Sequence, residues 1–112
     1  MSTSESIVIL ASIQVSASQR QTLIDAAKPL VTVTRAEEGC LDYEIALDVA
    51  NDDRFVLAER WTSEAALGAH FQTAHFGAFV KTLIGIGAKV KSCIRYTASG
   101  AKVVELPPEL LD

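Results

Sequence analysis

Residues 39–79 read GCLDYEIALDVANDDRFVLAERWTSEAALGAHFQTAHFGAF. Leu41, Tyr43, Ile45 and Leu47 alternate with Asp42, Glu44, Ala46 and Asp48, the period-two pattern of a strand with one apolar face. Phe55, Leu57, Glu59 and Trp61 alternate in the same way with Val56, Ala58 and Arg60. Between the two, Asn51-Asp52-Asp53 supplies side chains that bond their own backbone and favour a turn. This predicts a hairpin whose connection is too long for a two-residue turn. After Trp61, Ser63 stands as a helix N-cap, with Glu64 beside the positive helix end. In that helix Ala66, Leu67, His70 and Phe71 share a face. Thr73 is placed to cap a further short helix with a stripe of Phe76, Phe79, Val80 and Leu83, ended by Gly85 and Gly87.

Upstream, residues 7–15 are apolar on both faces: Ile7, Ile9, Ala11, Ile13 and Val15 on one, Val8 and Leu10 on the other. An antiparallel strand ordinarily keeps one polar face. Helices cover one side, so a partner subunit is expected on the other. Ser16 and Ser18 offer N-caps for a helix carrying Leu23, Ala26, Ala27, Leu30, Val31 and Thr34 on one stripe. Pro29 interrupts it by removing a backbone hydrogen bond, which predicts a kink. Gly39 stands where a left-handed residue is expected to end the helix. Downstream, Val90, Ser92, Ile94 and Tyr96 alternate with Lys91, Cys93, Arg95 and Thr97 as a fourth strand. The order strand, helix, strand, strand, helix, strand makes residues 1–112 one α+β domain, with a core over 7–97 and a tail over 98–112.

The net charge of −4, with lysines scattered along the chain, argues against nucleic acid, whose binding needs clustered Lys and Arg. Residues 7–13 are too short to span a membrane, and Met1 to Ser6 lacks a basic leader region, so no membrane association and a cytoplasmic protein are expected. Cys40 and Cys93 are expected as free thiols. The reducing compartment expected for a cytoplasmic protein keeps them so.

His70 and His75 are the only histidines. On one continuous helix they lie about 140° apart, and no Cys or carboxylate accompanies them at a metal-ligand spacing. No metal is therefore expected. With no Gly-rich phosphate loop, no flavin or nicotinamide is expected either. His70 faces the space between helix and sheet, either as a satisfied core histidine or as a pocket base. Glu59 lies on the apolar face of its strand and needs a partner: an arginine across the sheet or across the dimer, or His70, whose tautomer it would hold. Tyr43, Trp61, Phe71, Phe76 and Phe79 either pack the core or line a flat apolar pocket.

The run Glu38-Gly39-Cys40-Leu41-Asp42-Tyr43, the strand Phe55-Val56-Leu57, the end Glu59-Arg60-Trp61, and His70 followed by His75-Phe76 and Phe79 resemble the antibiotic biosynthesis monooxygenase family over residues 7–96. The resemblance implies a ferredoxin-like βαββαβ fold with an antiparallel sheet, paired as a homodimer into a dimeric α+β barrel. It implies oxidation of a quinol or polycyclic phenol by O₂ without a cofactor. His70 and Glu59 would be catalytic, and Tyr43, Trp61, Phe71, Phe76 and Phe79 would hold a small aromatic ligand. The haem-degrading members are set aside, because Ile13, His70 and Val80 stand where those carry Asn, Trp and His. Fold alone does not settle function. A non-oxygenase enzyme, such as an isomerase or one that breaks down a small hydroxyketone signal, and a non-catalytic ligand-binding barrel stay open beside the monooxygenase.

Overall fold

The computed structural model describes residues 5–112. Residues 1–4, and with them most of the segment read for a leader, lie outside it. Strand β1 (Ser6–Gln14) leads through a short 3-10 turn into helix α1 (Arg20–Arg35). The hairpin β2 (Cys40–Asp48) and β3 (Asn51–Trp61) follows, then α2 (Glu64–Phe71), α3 (Ala74–Gly85) and β4 (Lys89–Ala98). A second 3-10 turn, Pro108–Leu110, lies in the tail and has no counterpart in the sequence pattern. The sheet order is β2-β3-β1-β4 with every neighbouring pair antiparallel. This is the ferredoxin-like α+β fold, with the helices on one face. Among the described residues no helix is long and apolar enough to cross a membrane.

Of three local expectations, two are corrected and one is borne out. The hairpin connection is the two residues Val49-Ala50, because Asp48 pairs with Asn51. The Asx chemistry sits at the turn, but inside the strands: Asp48 Oδ1 accepts from the Ala50 N–H at 2.8 Å and Asn51 Oδ1 from the Asp53 N–H at 3.0 Å. A register shift next to Leu47 absorbs the extra residues as a bulge. Second, the helix expected through Pro29 is borne out: α1 runs as one helix from Arg20 to Arg35, and Pro29 is exposed, where water can serve the carbonyl that lost its partner. Third, Gly39 has φ 84° but does not end α1, which is closed by Ala36. It sits in the turn into β2, and a Cβ there would lie 2.5 Å from the Ala66 Cβ. Gly39 is needed because this turn presses against the first turn of α2.

The core forms between the helices and one sheet face. Ile7, Ile9 and Ile13 of β1 meet Leu23 and Leu30 of α1, with Phe55, Leu57 and Trp61 of β3 beside them. On the other face Leu10, Ile94 and Tyr96 are half exposed, and Leu10 and Ile94 line a shallow depression of about 460 Å³ with Val56 and Ala58. Beyond β4, Val103 is 97 % exposed and Leu106 half exposed. The cysteines are free, with Cys40 on β2 and Cys93 on β4, at opposite edges of the sheet.

Candidate functional site

The site is built by a break between two helices. Ser63 caps α2 by accepting from the Ala66 N–H at 3.1 Å, which turns Leu67 and His70 toward the core. The helix lasts eight residues. Thr73 then acts twice: its hydroxyl donates to the His70 carbonyl at 2.7 Å and accepts from the Phe76 N–H at 3.2 Å, ending one helix and capping the next. This resets the direction of the chain, so His75 swings back beside His70, with ring centroids 6.1 Å apart. The wide angle expected of a continuous helix does not apply.

A carboxylate joins them that the spacing rules had not supplied. Glu37 lies in the turn between α1 and β2. Its Oε2 accepts from His70 Nδ1 at 2.8 Å and from His75 Nε2 at 2.6 Å. Burial pushes the Glu37 carboxyl up, but the hydrogen bonds from the two imidazoles outweigh it and hold the group below its ordinary range. An ionised carboxylate only accepts, so His70 Nδ1 carries the proton of its bond. The other ring nitrogen, Nε2, is fully buried and has no hydrogen-bond partner. In the neutral ring it is a bare acceptor. Only the pairing of Cys40 with Trp61 brings the turn before Cys40 beside the start of α2.

Aromatic rings surround His70, which has no exposed surface. Trp61 lies 4.8 Å away between centroids, Phe76 5.1 Å and Tyr43 5.3 Å. Phe71 does not share the buried face. It is 43 % exposed and rests on Phe76 at 5.1 Å. Phe79 is buried apart from this group, beside a groove of about 290 Å³ between α1 and α3 that His75 also lines.

Glu59 faces the helices together with Trp61 and is 7 % exposed. Within the chain, neither an arginine across the sheet nor His70 holds it. Its Oε1 accepts from the Trp61 Nε1–H at 3.1 Å, while Arg60 turns to Asp42 at 2.7 Å and Arg54 to Asp48 at 2.7 Å. Burial pushes the Glu59 carboxyl up, against the lowering effect of the Trp61 bond. Burial, then the charges of Glu59 and Glu37, pushes the Tyr43 hydroxyl far up as well. Trp61 therefore touches both acidic chemistry and His70, but Glu37 orients the imidazole.

A cavity of about 630 Å³ opens further along the same inner face, between α1 and the hairpin, lined by Ile24, Ala27, Val31, Ile45, Leu47 and Phe55. The register pairs Leu47 with Phe55, Ile45 with Leu57 and Tyr43 with Glu59. Residues two apart on a strand are about 6.8 Å apart, so the Tyr43–Glu59 row is the next step from this cavity toward Trp61 and His70.

The family model for antibiotic biosynthesis monooxygenase matches residues 6–82. A Bacillus subtilis protein named "Putative monooxygenase YcnE" is 40 % identical over 74 residues, which cover 66 % of this chain and 78 % of its own. An Escherichia coli K12 protein named "Probable quinol monooxygenase YgiN" is 34 % identical over 74 residues, covering 59 % and 71 %. A crystal structure from Deinococcus radiodurans superposes with a TM-score of 0.82 at 21 % identity, covering 88 % of this chain and 98 % of that one. It shares the fold.

Proposed function

The chain belongs to the antibiotic biosynthesis monooxygenase family, and from that membership we propose that it oxidises a quinol or polycyclic phenol with O₂, without a cofactor and with His70 as proton acceptor. The observation that carries this reading is the buried, unpartnered Nε2 of His70, left bare because Glu37 takes the proton on Nδ1. A carboxylate that fixes the tautomer and a free nitrogen on the opposite side of the ring are the parts of a general base.

The chemistry proceeds from the substrate. A quinol hydroxyl gives its proton to Nε2, and the electron-rich anion passes an electron to O₂. The resulting radical pair joins by a carbon–oxygen bond, and the hydroperoxide loses water. A quinol plus O₂ becomes a hydroxyquinone plus H₂O, with one oxygen atom in each product. The apolar 630 Å³ cavity falls in the range of small-molecule pockets, about 300–1,000 Å³. The substrate ring occupies it with the hydroxyl directed along the inner face. Tyr43 and Glu59 stand between the cavity and Nε2, so the hydroxyl reaches His70 when their side chains turn aside. Trp61 and Phe76 then flank only the hydroxyl-bearing end of a substrate long enough to extend past that row. That same separation favours a second reading, a barrel that binds an aromatic ligand without turning it over.

Oxygen uptake on a panel of quinols distinguishes the two. His70→Gln keeps a hydrogen-bonding group but takes no proton, so turnover should fall by about 10²- to 10⁴-fold. Full uptake by His70→Gln on a quinol that the parent oxidises would overturn the role of His70. Binding without uptake in the parent would establish the second reading.

A further inference from the structure

The Glu37, His70 and His75 cluster is a different kind of object from a base and its orienter. Three elements meet there: the α1–β2 turn, the end of α2 and the start of α3. One ring with a carboxylate partner suffices for a base. A second imidazole on the same oxygen has no part in the reaction proposed above. We propose that Glu37 Oε2, His70 Nδ1 and His75 Nε2 form a binding site for one divalent first-row transition-metal ion.

The donor atoms all lie within 4.8 Å of one another. Zinc takes imidazole nitrogen at about 2.0–2.1 Å and carboxylate oxygen at about 2.0–2.2 Å in a tetrahedron, which sets ligand atoms about 3.3 Å apart. The two nitrogens already converge on one point, the shared oxygen, at 2.8 and 2.6 Å. Reaching the tetrahedral spacing lengthens the two oxygen contacts by about half an ångström and closes the nitrogens, now up to 4.8 Å apart, by as much as about 1.5 Å, so Glu37 draws back while the partly exposed His75 ring moves in. Glu37 sits in a turn outside both helix and strand, so it can do so without disturbing the sheet. Two imidazoles and one carboxylate suit zinc, iron, nickel or copper rather than magnesium or calcium. Three protein ligands leave a fourth position for water.

Access comes from the solvent side. The Glu37 and His75 side chains keep 15 % and 25 % of their surface exposed, while His70 keeps none. A depression of about 600 Å³ lined by Glu37, Gly39, Ser63, Ala66 and Thr73 reaches the carboxylate. A metal on Nδ1 forces the proton of the neutral His70 ring onto Nε2. Occupancy and base catalysis at Nε2 then exclude each other. This corollary rests on the function proposed above; the binding does not.

The test uses the full chain stripped with a chelator and titrated with Zn²⁺ against a chromophoric competitor. One ion should bind per chain. His75→Gln and Glu37→Gln should each weaken binding by more than the roughly 10- to 100-fold that outer-shell partners contribute. Circular dichroism confirms that each variant is folded, and His75, partly exposed, tolerates the change. In nitrogen-15 spectra of the histidine rings, Zn²⁺ should shift the His70 proton from Nδ1 to Nε2. No binding below millimolar Zn²⁺ would overturn the proposal. So would binding that both variants retain and Cys93→Ser removes, which would assign the ion to a thiol. Oxygen uptake enters none of these readouts, so the proposed reaction can fail while the site stands.

Discussion

Replacing Glu37 by alanine removes the single acceptor that ties α2 and α3 to the α1–β2 turn. Its Oε2 receives two imidazole N–H groups, at 2.8 and 2.6 Å. Hydrogen bonds to a charged group contribute about 1.5–3 kcal/mol each. The His75 bond must be discounted, because that ring keeps a quarter of its surface in water and can be resolvated. His70 cannot, having no exposed surface, and a buried donor left without an acceptor costs about 1–3 kcal/mol. Together these give a loss of about 2–4 kcal/mol. A domain of this size shifts by about 3–5 °C per kcal/mol, so Glu37→Ala should melt about 6–20 °C below the parent. Glu37→Gln keeps the shape and one oxygen but loses the charge, and should cost about half as much.

The measurement is thermal unfolding followed by circular dichroism, at one fixed protein concentration and with chelator present, since assembly and metal both shift apparent stability. The pH dependence gives an independent check. A carboxyl held below its ordinary value contributes stability that is fully present above that value, 4.5, and is lost as pH falls through the lower folded-state value. The gap between parent and Glu37→Ala should therefore be complete at pH 7 and shrink below pH 4.5. A melting difference under about 2 °C at pH 7, less than 1 kcal/mol on this scale, would refute the reasoning. So would a gap that widens in acid.

Glu59 has the opposite sign. Its carboxyl is raised by burial, so its stabilising effect is full below 4.5 and is lost as pH rises through the folded-state value. Glu59→Gln keeps an oxygen for Trp61 Nε1–H and removes the buried charge. In urea melts it should exceed the parent at pH 8 by on the order of 1 kcal/mol and show no advantage at pH 4. The outer sheet face should pair with a second copy over more than roughly 2,000 Å² in total, since Leu10, Ile94 and Tyr96 lie bare there. Light scattering at micromolar concentration should find a dimer that Leu10→Asp splits, and a monomeric parent would end that proposal.

What the chain announces by itself is what neighbouring residues decide among themselves. The alternation through Tyr43, Ile45, Phe55, Leu57 and Trp61 is a local pattern, and it placed the strands and their buried face. Ser63 and Thr73 cap α2 and α3 because a hydroxyl reaches an N–H three residues on, a contact that needs no other part of the molecule. Helical spacing sets His70 with Leu67, and both are buried, though it set Phe71 there too, which is 43 % exposed.

Other features depended on how elements meet. Val90 shows how little local pattern constrains a face: it alternates with Ile94, yet the register shift beside Ser12 pairs it with Ile13 on the inner side. The Val49-Ala50 turn depends in the same way on a bulge that only strand pairing creates. Gly39 needs its missing Cβ because Ala66, far along the chain, comes to rest against it. Glu37 is 33 residues from His70 and 38 from His75, and His75 points to it only because the helix breaks at Thr73. Spacing rules measure angles along one axis. Here two short helices with different axes and a turn at the sheet's end bring three side chains to one oxygen, and that convergence exists only in the folded chain.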